Sequence, residues 1–293
     1  VKRFFGTRFF EGADVQIGPS KQAYFDTLIS QARSQEHVID LVWDDRFSKF
    51  EFLWYAVERC GLLVRGANQA SYDVFEPIDG KDYFDRPVKA VFAANDAAWP
   101  MFFALVDRQN PHLRCFWGDA LWAQPDDGPA RKVYAYAINR EAFENKPYVT
   151  GGVYLLPNEG FHPARSSQGR LTLESICEVS VRPLARMTIT TEDFPFQDIV
   201  QPFAFDDLMA MYEIQNQATR KVENALGGSL YYHLERTPLE RIQQAVNFIR
   251  AFYPGFQIVV GEPNGNEVEV RMRFPAGAIQ FCKEEWLAQR SEK

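Results

Sequence analysis

Leu62-Leu63-Val64-Arg65-Gly66 is an apolar run too short for a helix, closed by a cation and then by the one residue without a side chain. Lying directly after Gly61, it reads as a buried strand. It also separates two textures of sequence, and the fold class turns on that change. Upstream the spacing is helical. Ser20 is placed to cap a helix that gathers Tyr24, Phe25, Leu28, Ile29 and Ala32 on one side. A short strand over 37–43 follows. Asp44 or Asp45 then opens a second helix with Phe47, Phe50, Leu53, Trp54 and Val57 at 3.6-residue spacing, and Gly61 stops it.

Downstream the pattern becomes short strands, expected over 62–65, 88–94, 132–138, 152–156, 174–180 and 184–190. One helix is expected over 99–106, with Asn95 or Asp96 as cap and Pro100 in its first turn. The aromatic stretch 115–122 has no clear period. Many strands with few helices predict an α+β architecture, because a doubly wound parallel sheet needs a helix between most strands. After Phe194-Pro195-Phe196 a helix is expected over 206–223. Thr237-Pro238-Leu239-Glu240 has capping-box spacing ahead of a helix lined by Leu239, Ile242, Val246, Ile249 and Tyr253. Asn264-Gly265 joins two hairpin arms, the second alternating through Val268, Val270, Met272 and Phe274. The expected division is an N-terminal helical segment over 1–60, a strand-rich core over 61–198 and a smaller helix-helix-hairpin-helix α/β module over 199–293. Nothing in that module suggests chemistry, and a protein partner is its natural use.

Composition narrows the function classes. A formal net charge of −7 without a basic run lacks the electrostatic footprint of a duplex-binding protein, so nucleic acid is not indicated. Rings make up 15% of the chain, enough both to fill a large core and to offer platforms for flat ligands. No apolar stretch of about 18 residues predicts a membrane span, and Val1-Lys2-Arg3-Phe4-Phe5-Gly6 is not followed by the apolar core of a signal peptide. Cys60, Cys115, Cys177 and Cys282 are widely spaced, as are the four histidines. A zinc knuckle and a catalytic metal are therefore not expected, and a reducing, cytoplasmic setting is. No phosphate-cradling glycine motif or nucleophile elbow follows any strand. Asp44-Asp45 and Asp126-Asp127 would suit a carboxylate hydrolase only if their side chains converged, and adjacent residues in a strand or turn point apart.

Three places in the core can carry chemistry, and each has a plain structural alternative. Arg65, at a strand end beside Gly66, is suited to gripping a phosphate while the glycine lets a ligand approach the backbone; equally, it can pair with a surface carboxylate beside a turn. Phe92, in Ala90-Val91-Phe92-Ala93-Ala94-Asn95-Asp96, has small neighbours that leave room for a flat heterocycle; equally, it is one more core ring. Glu174 and Glu178 differ by an even number, so strand alternation puts both on one face, lining a cleft or simply facing water.

The order strand-Arg65-Gly66, strand with Phe92, helix, tyrosine-rich strand and late strand with Glu174 resembles the ADP-ribosyltransferase fold. Gly152-Val153-Tyr154-Leu155-Leu156-Pro157, Arg182-Pro183-Leu184-Ala185-Arg186 and Glu192-Asp193-Phe194-Pro195-Phe196 also look like stretches of uncharacterised bacterial proteins of that kind. The resemblance covers about residues 60–198. It implies a split β-sandwich that takes NAD as a substrate and cleaves its nicotinamide–ribose bond, passing ADP-ribose to an unknown acceptor or to water. It further implies Arg65 and Gly66 at the dinucleotide, Phe92 against nicotinamide, and Glu174, or else Glu178, as the catalytic carboxylate. The chain departs from the family where Ala93-Ala94-Asn95 replaces the hydroxyl-bearing run of one branch and Arg65 the histidine of the other. The alternative expectation is thus a non-catalytic, nucleotide- or protein-binding module on the same fold.

Overall fold

A computed structural model describes residues 2–4, 6–68, 71–83, 86–123, 131–165, 171–217, 220–224, 229–235, 237–265 and 267–273. The chain begins with β1 (Phe10–Glu11), α1 (Pro19–Arg33), β2 (Ile39–Asp40) and α2 (Lys49–Glu58). In α1, Pro19 occupies the first turn with Gly18 at the N-cap, and Phe25, Leu28, Ile29 and Ala32 face inward. The strand expected over 37–43 shortens to β2, which pairs in parallel with a later strand. Asp44 does not open α2. Its Oδ1 accepts the Arg46 N–H at 3.1 Å in a preceding turn, and Ser48 is the cap, its Oγ accepting the Glu51 N–H at 3.3 Å. Gly61 follows α2 with φ +65°, a conformation glycine adopts without a Cβ penalty.

The core continues as β3 (Leu63–Ala67), β4 (Ile78–Lys81), β5 (Pro87–Ala94), α3 (Ala98–Leu105), β6 (Phe116–Ala123), β7 (Arg131–Asn139), α4 (Arg140–Glu144), β8 (Gly151–Leu156), β9 (His162–Arg165), β10 (Leu171–Cys177), β11 (Ala185–Ile189) and β12 (Gln201–Phe203). One sheet runs β2-β11-β8-β3-β5-β10-β9, with β4 also on β5. The other is built around β7, which pairs with β6, β1 and β12. Among the described residues only β2–β11 and β7–β12 are parallel pairs, so the fold is α+β, as the strand-rich pattern predicted. The segment 115–122, without a period in sequence, is β6. Phe116 meets Phe102 and Phe103 of α3 while the next residue, Trp117, packs on Phe203, Phe248 and Phe252, so rings are engaged on both faces of the strand and the apolar–polar alternation is lost.

The main core lies between the sheets. Val64, Val153, Leu155 and Met187 come from one, Tyr134, Tyr136 and Ile138 from the other, with Met101, Phe102 and Leu105 of α3 between them. Each such side chain contributes about 1.5–3 kcal/mol relative to exposure. The helix sits directly on backbone. A Cβ at Gly66 would stand 2.0 Å from the carbonyl oxygen of Pro100, and one at Gly151 2.3 Å from that of Ala104.

The rest comprises α5 (Phe205–Gln217), β13 (Arg220–Asn224), β14 (Ser229–Glu235), α6 (Leu239–Phe252), β15 (Gln257–Val260) and β16 (Glu267–Arg273), with the four strands ordered β13-β14-β16-β15. Ile242, Ala245, Val246 and Ile249 of α6 meet Val268, Val270 and Met272 of β16 in a separate small core, as the alternation predicted. The hairpin β13–β14 between the two helices was not anticipated. Nor was the start of α6, where Pro238 takes the N-cap position and the helix begins one residue later than the capping box implies. Phe274 and the final helix of the expected module lie outside the described residues. Phe203, Phe248 and Phe252 cluster with Ala137 and Trp117 and join this module to the β7 sheet.

Candidate functional site

The site begins with a break in a ladder. β3 and β5 pair at a single position, Val64 with Ala94. From there β3 continues against β8, from Leu63↔Leu156 to Ala67↔Gly152. β5 continues against β10, from Glu174↔Ala94 to Cys177↔Val91, and against β4. β8 and β10 hold the outer edges of β3 and β5, while the edges that face each other do not pair beyond this bridge, and the wedge between them is roofed by α3. It holds a cleft of about 210 Å³. β3 contributes Val64, Arg65 and Gly66, β5 Phe92, Ala93 and Ala94, and β10 Glu174. The opposite wall is Trp99, Pro100 and Phe103 of α3, with Arg108 beyond the helix end.

Arg65 is half-buried and lies in the wedge. Its Nη1 donates to the main-chain oxygen of Phe92, and its guanidinium carbon stands 4.7 Å over the Phe75 ring. Its Nε is buried without a hydrogen-bond partner. No carboxylate forms an ion pair with it among the described residues, and burial pulls its pKa below the ordinary arginine value, with Tyr72 opposing the shift and the positive charge of Arg108 adding to it. Such a cation is poised for an anion.

Glu174 stands across from Ala94, its Oε1 accepting the Tyr83 N–H at 2.7 Å. Burial pushes its pKa up to about 7. The Tyr83 hydrogen bond opposes that shift, and the negative charge of Asp82 adds to it. The group therefore titrates near neutrality, where an acid or base is most useful. The Phe92 ring leans on Gly80, where a Cβ would meet its edge at 3.1 Å.

The aromatic wall is held firmly. Trp99 Nε1 donates to the Gly118 oxygen at 2.9 Å, and the indole meets Tyr83 and Phe103 edge-on at 6.2 and 6.1 Å. Asp96 satisfies the start of α3, its Oδ1 accepting the Trp99 N–H at 2.7 Å. Its Oδ2 takes the Tyr134 hydroxyl at 2.7 Å and faces Lys132 at 3.3 Å. This buried carboxylate is thus consumed in holding the helix.

Arg65, Gly66, Phe92 and Glu174, separated by up to 109 positions, line one cleft. Glu178 does not. β10 ends at Cys177, and Glu178 is exposed past it, so the even-spacing expectation fails because the strand stops short. Gly66 also has a different reason than the one expected. The space a side chain would need is filled by the Pro100 carbonyl rather than left for a ligand. Asp44 is held by Arg46, and Asp126-Asp127 lies outside the described residues. Trp99, Phe103 and Arg108 were not singled out from sequence. The two rings carried only a helix-core signal, and Arg108 carried none.

Comparison with protein-family models, with curated proteins and with solved structures finds no match to this chain. Among the described residues no helix is long and apolar enough to cross a membrane, and no group of three or more His, Cys, Asp and Glu side chains is arranged to hold a metal ion.

Proposed function

We propose that the cleft is an NAD site of the ADP-ribosyltransferase kind and that the chain cleaves the nicotinamide–ribose bond. The carrying observation is that an arginine with no ion pair among the described residues, an aromatic ring and a half-buried glutamate from three adjacent strands share one cleft at a fork in the sheet. In the reaction the C1′–N bond breaks, its electron pair leaves with nicotinamide as a neutral base, and positive charge develops on the ribose. An acceptor nucleophile or water then bonds to C1′ and gives up a proton. Glu174, as carboxylate, stabilises the oxocarbenium-like state. One preorganised group of this sort contributes about 3–4 kcal/mol to a barrier. Its raised pKa fits the task, because a pyridinium beside it favours the ionised form and discharges the acid as substrate arrives. Arg65 grips the dinucleotide, and the Phe92 ring offers a face to nicotinamide.

A second reading, nucleotide binding without turnover, is favoured by the absence of hydroxyls in Ala93-Ala94-Asn95 beside Glu174. One experiment separates the two. The protein is incubated with NAD and free nicotinamide is followed by chromatography, for the native chain and for Glu174→Gln. Release by the native chain that falls at least a hundredfold in the variant supports catalysis. Saturable NAD binding without release supports the second reading. Neither binding nor release rejects both.

A further inference from the structure

Arg108 is a second cation in the cleft. It lies past the end of α3, is exposed at the cleft, and makes no ion pair among the described residues; its guanidinium carbon is 5.9 Å from the Phe116 ring. The backbone that presents it is fixed. The Asp107 N–H donates to the Pro147 oxygen at 2.7 Å, and Asp107 Oδ1 accepts the Gln109 N–H at 2.9 Å. The Asn110 N–H closes the turn on the Asp107 oxygen at 3.2 Å. The buried Asn110 side chain then ties the turn to the Asn145 oxygen at 2.9 Å. A long cation on a rigid turn reaches a ligand at little cost in backbone entropy. In the same cleft Arg65 also makes no ion pair among the described residues, and the two positive charges disfavour each other. A monophosphate concentrates its charge on one phosphoryl group and meets one of them. A diphosphate, with charge spread along its length, relieves both.

We infer that Arg108 is an outer anion contact that makes the cleft select a nucleoside diphosphate moiety over a monophosphate or an uncharged nucleoside. This inference rests on the nucleotide reading of the cleft and adds to it a specificity residue and the ligand feature that residue recognises. Arg108 acts as a point of recognition and takes no part in bond breaking.

The test uses the full chain and three probes, ADP, AMP and adenosine, titrated by calorimetry, with nicotinamide release from NAD measured in parallel. The native chain is expected to bind ADP at least tenfold more tightly than AMP. Arg108→Gln should erase most of that preference and leave adenosine unchanged, while Arg108→Lys should restore part of it. An ADP-to-AMP ratio that Arg108→Gln leaves intact overturns the inference, as does a native chain that does not discriminate. The two ideas fail separately. Arg108-dependent ADP binding without nicotinamide release removes the catalytic reading alone. Release with an Arg108-independent ADP affinity removes the present inference alone.

Discussion

The guanidinium of Arg65 donates to the main-chain oxygen of Phe92, tying β3 to β5 where the two strands have ceased to pair. One bond thus serves the sheet while the buried Nε and the charge itself remain uncommitted. Arg65→Met should remove a hydrogen bond of about 1 kcal/mol and also the cost of burying an unpaired cation, so net stability should move by less than about 2 kcal/mol. Affinity for ADP should fall by tenfold or more. Urea denaturation and an ADP titration check both halves, and an unaltered ADP affinity would remove Arg65 from the binding site.

Glu174 makes stability depend on pH in a predictable sense. Below about pH 4.5 the carboxyl is protonated in the folded and unfolded chain alike and contributes no difference. As pH rises, the unfolded chain ionises first, and the folded state loses stability until Glu174 itself ionises near 7. The loss amounts to about 3 kcal/mol. Glu174→Gln carries no such proton, so the stability of the native chain relative to this variant should decline by about that much between pH 4.5 and 8. Denaturation curves at several pH values measure it, and a flat difference would mean that the carboxyl is solvated.

The same group sets a rate profile. If the ionised form assists bond cleavage, kcat/KM for nicotinamide release should rise with pH and level off above about 7, the value for the free protein. Glu174→Gln should abolish the ionisation along with most of the rate. A profile unchanged from pH 5 to 8 would argue that another group carries the reaction.

Glycines in the cleft separate packing from binding. At Gly66 a methyl group would overlap the Pro100 carbonyl, so Gly66→Ala should destabilise by at least the roughly 1–3 kcal/mol of ordinary overpacking. At Gly152 a methyl would rest 3.5 Å from Tyr154, an ordinary contact, and Gly152→Ala should stay within about 1 kcal/mol. Thermal melts of the pair check this, and equal melting temperatures would contradict the close seating of α3.

At Gly80, on the exposed β4, the neighbour is the tip of the half-buried Phe92 ring, at 3.1 and 3.3 Å, so an added methyl must displace the ring by a few tenths of an ångström. Gly80→Ala should therefore shift NAD affinity by several-fold with little change in melting temperature. A large loss of stability with native affinity would mean that the ring is fixed by packing and is no ligand platform.

Much of this fold is written locally. The inward row Phe25, Leu28, Ile29 and Ala32, the alternation of β16 and the glycine at 61 each need only neighbours a few residues away. Strand positions of β3, β5 and β8 were legible for the same reason, whereas β10 runs Leu171–Cys177, three residues earlier than the expected 174–180. The fork was not, because the length over which β3 pairs with β5 is set by how β8 and β10 hold the outer edges of the two strands and how α3 seats on them, and no window of sequence contains all of these. Although Arg65, which the sequence places at a strand end, lies in the middle of β3, it stood out with Phe92 and Glu174 by residue type within strands. Trp99 and Phe103 did not, since they share the apolar spacing of a core helix, and Arg108 sits among ordinary turn residues. Glu178 was misplaced by treating alternation as indefinite, when β10 simply ends.

Because α3 rests on Gly66 and Gly151 through its own carbonyl groups, the gap between its indole and the charged strands is gauged by main-chain atoms and not by interchangeable rotamers. Substituting the surrounding rings would change what that slot grips without changing how wide it stands. Diversification of ligand preference is thus channelled to the rim, while the aperture itself behaves as a constant of the backbone.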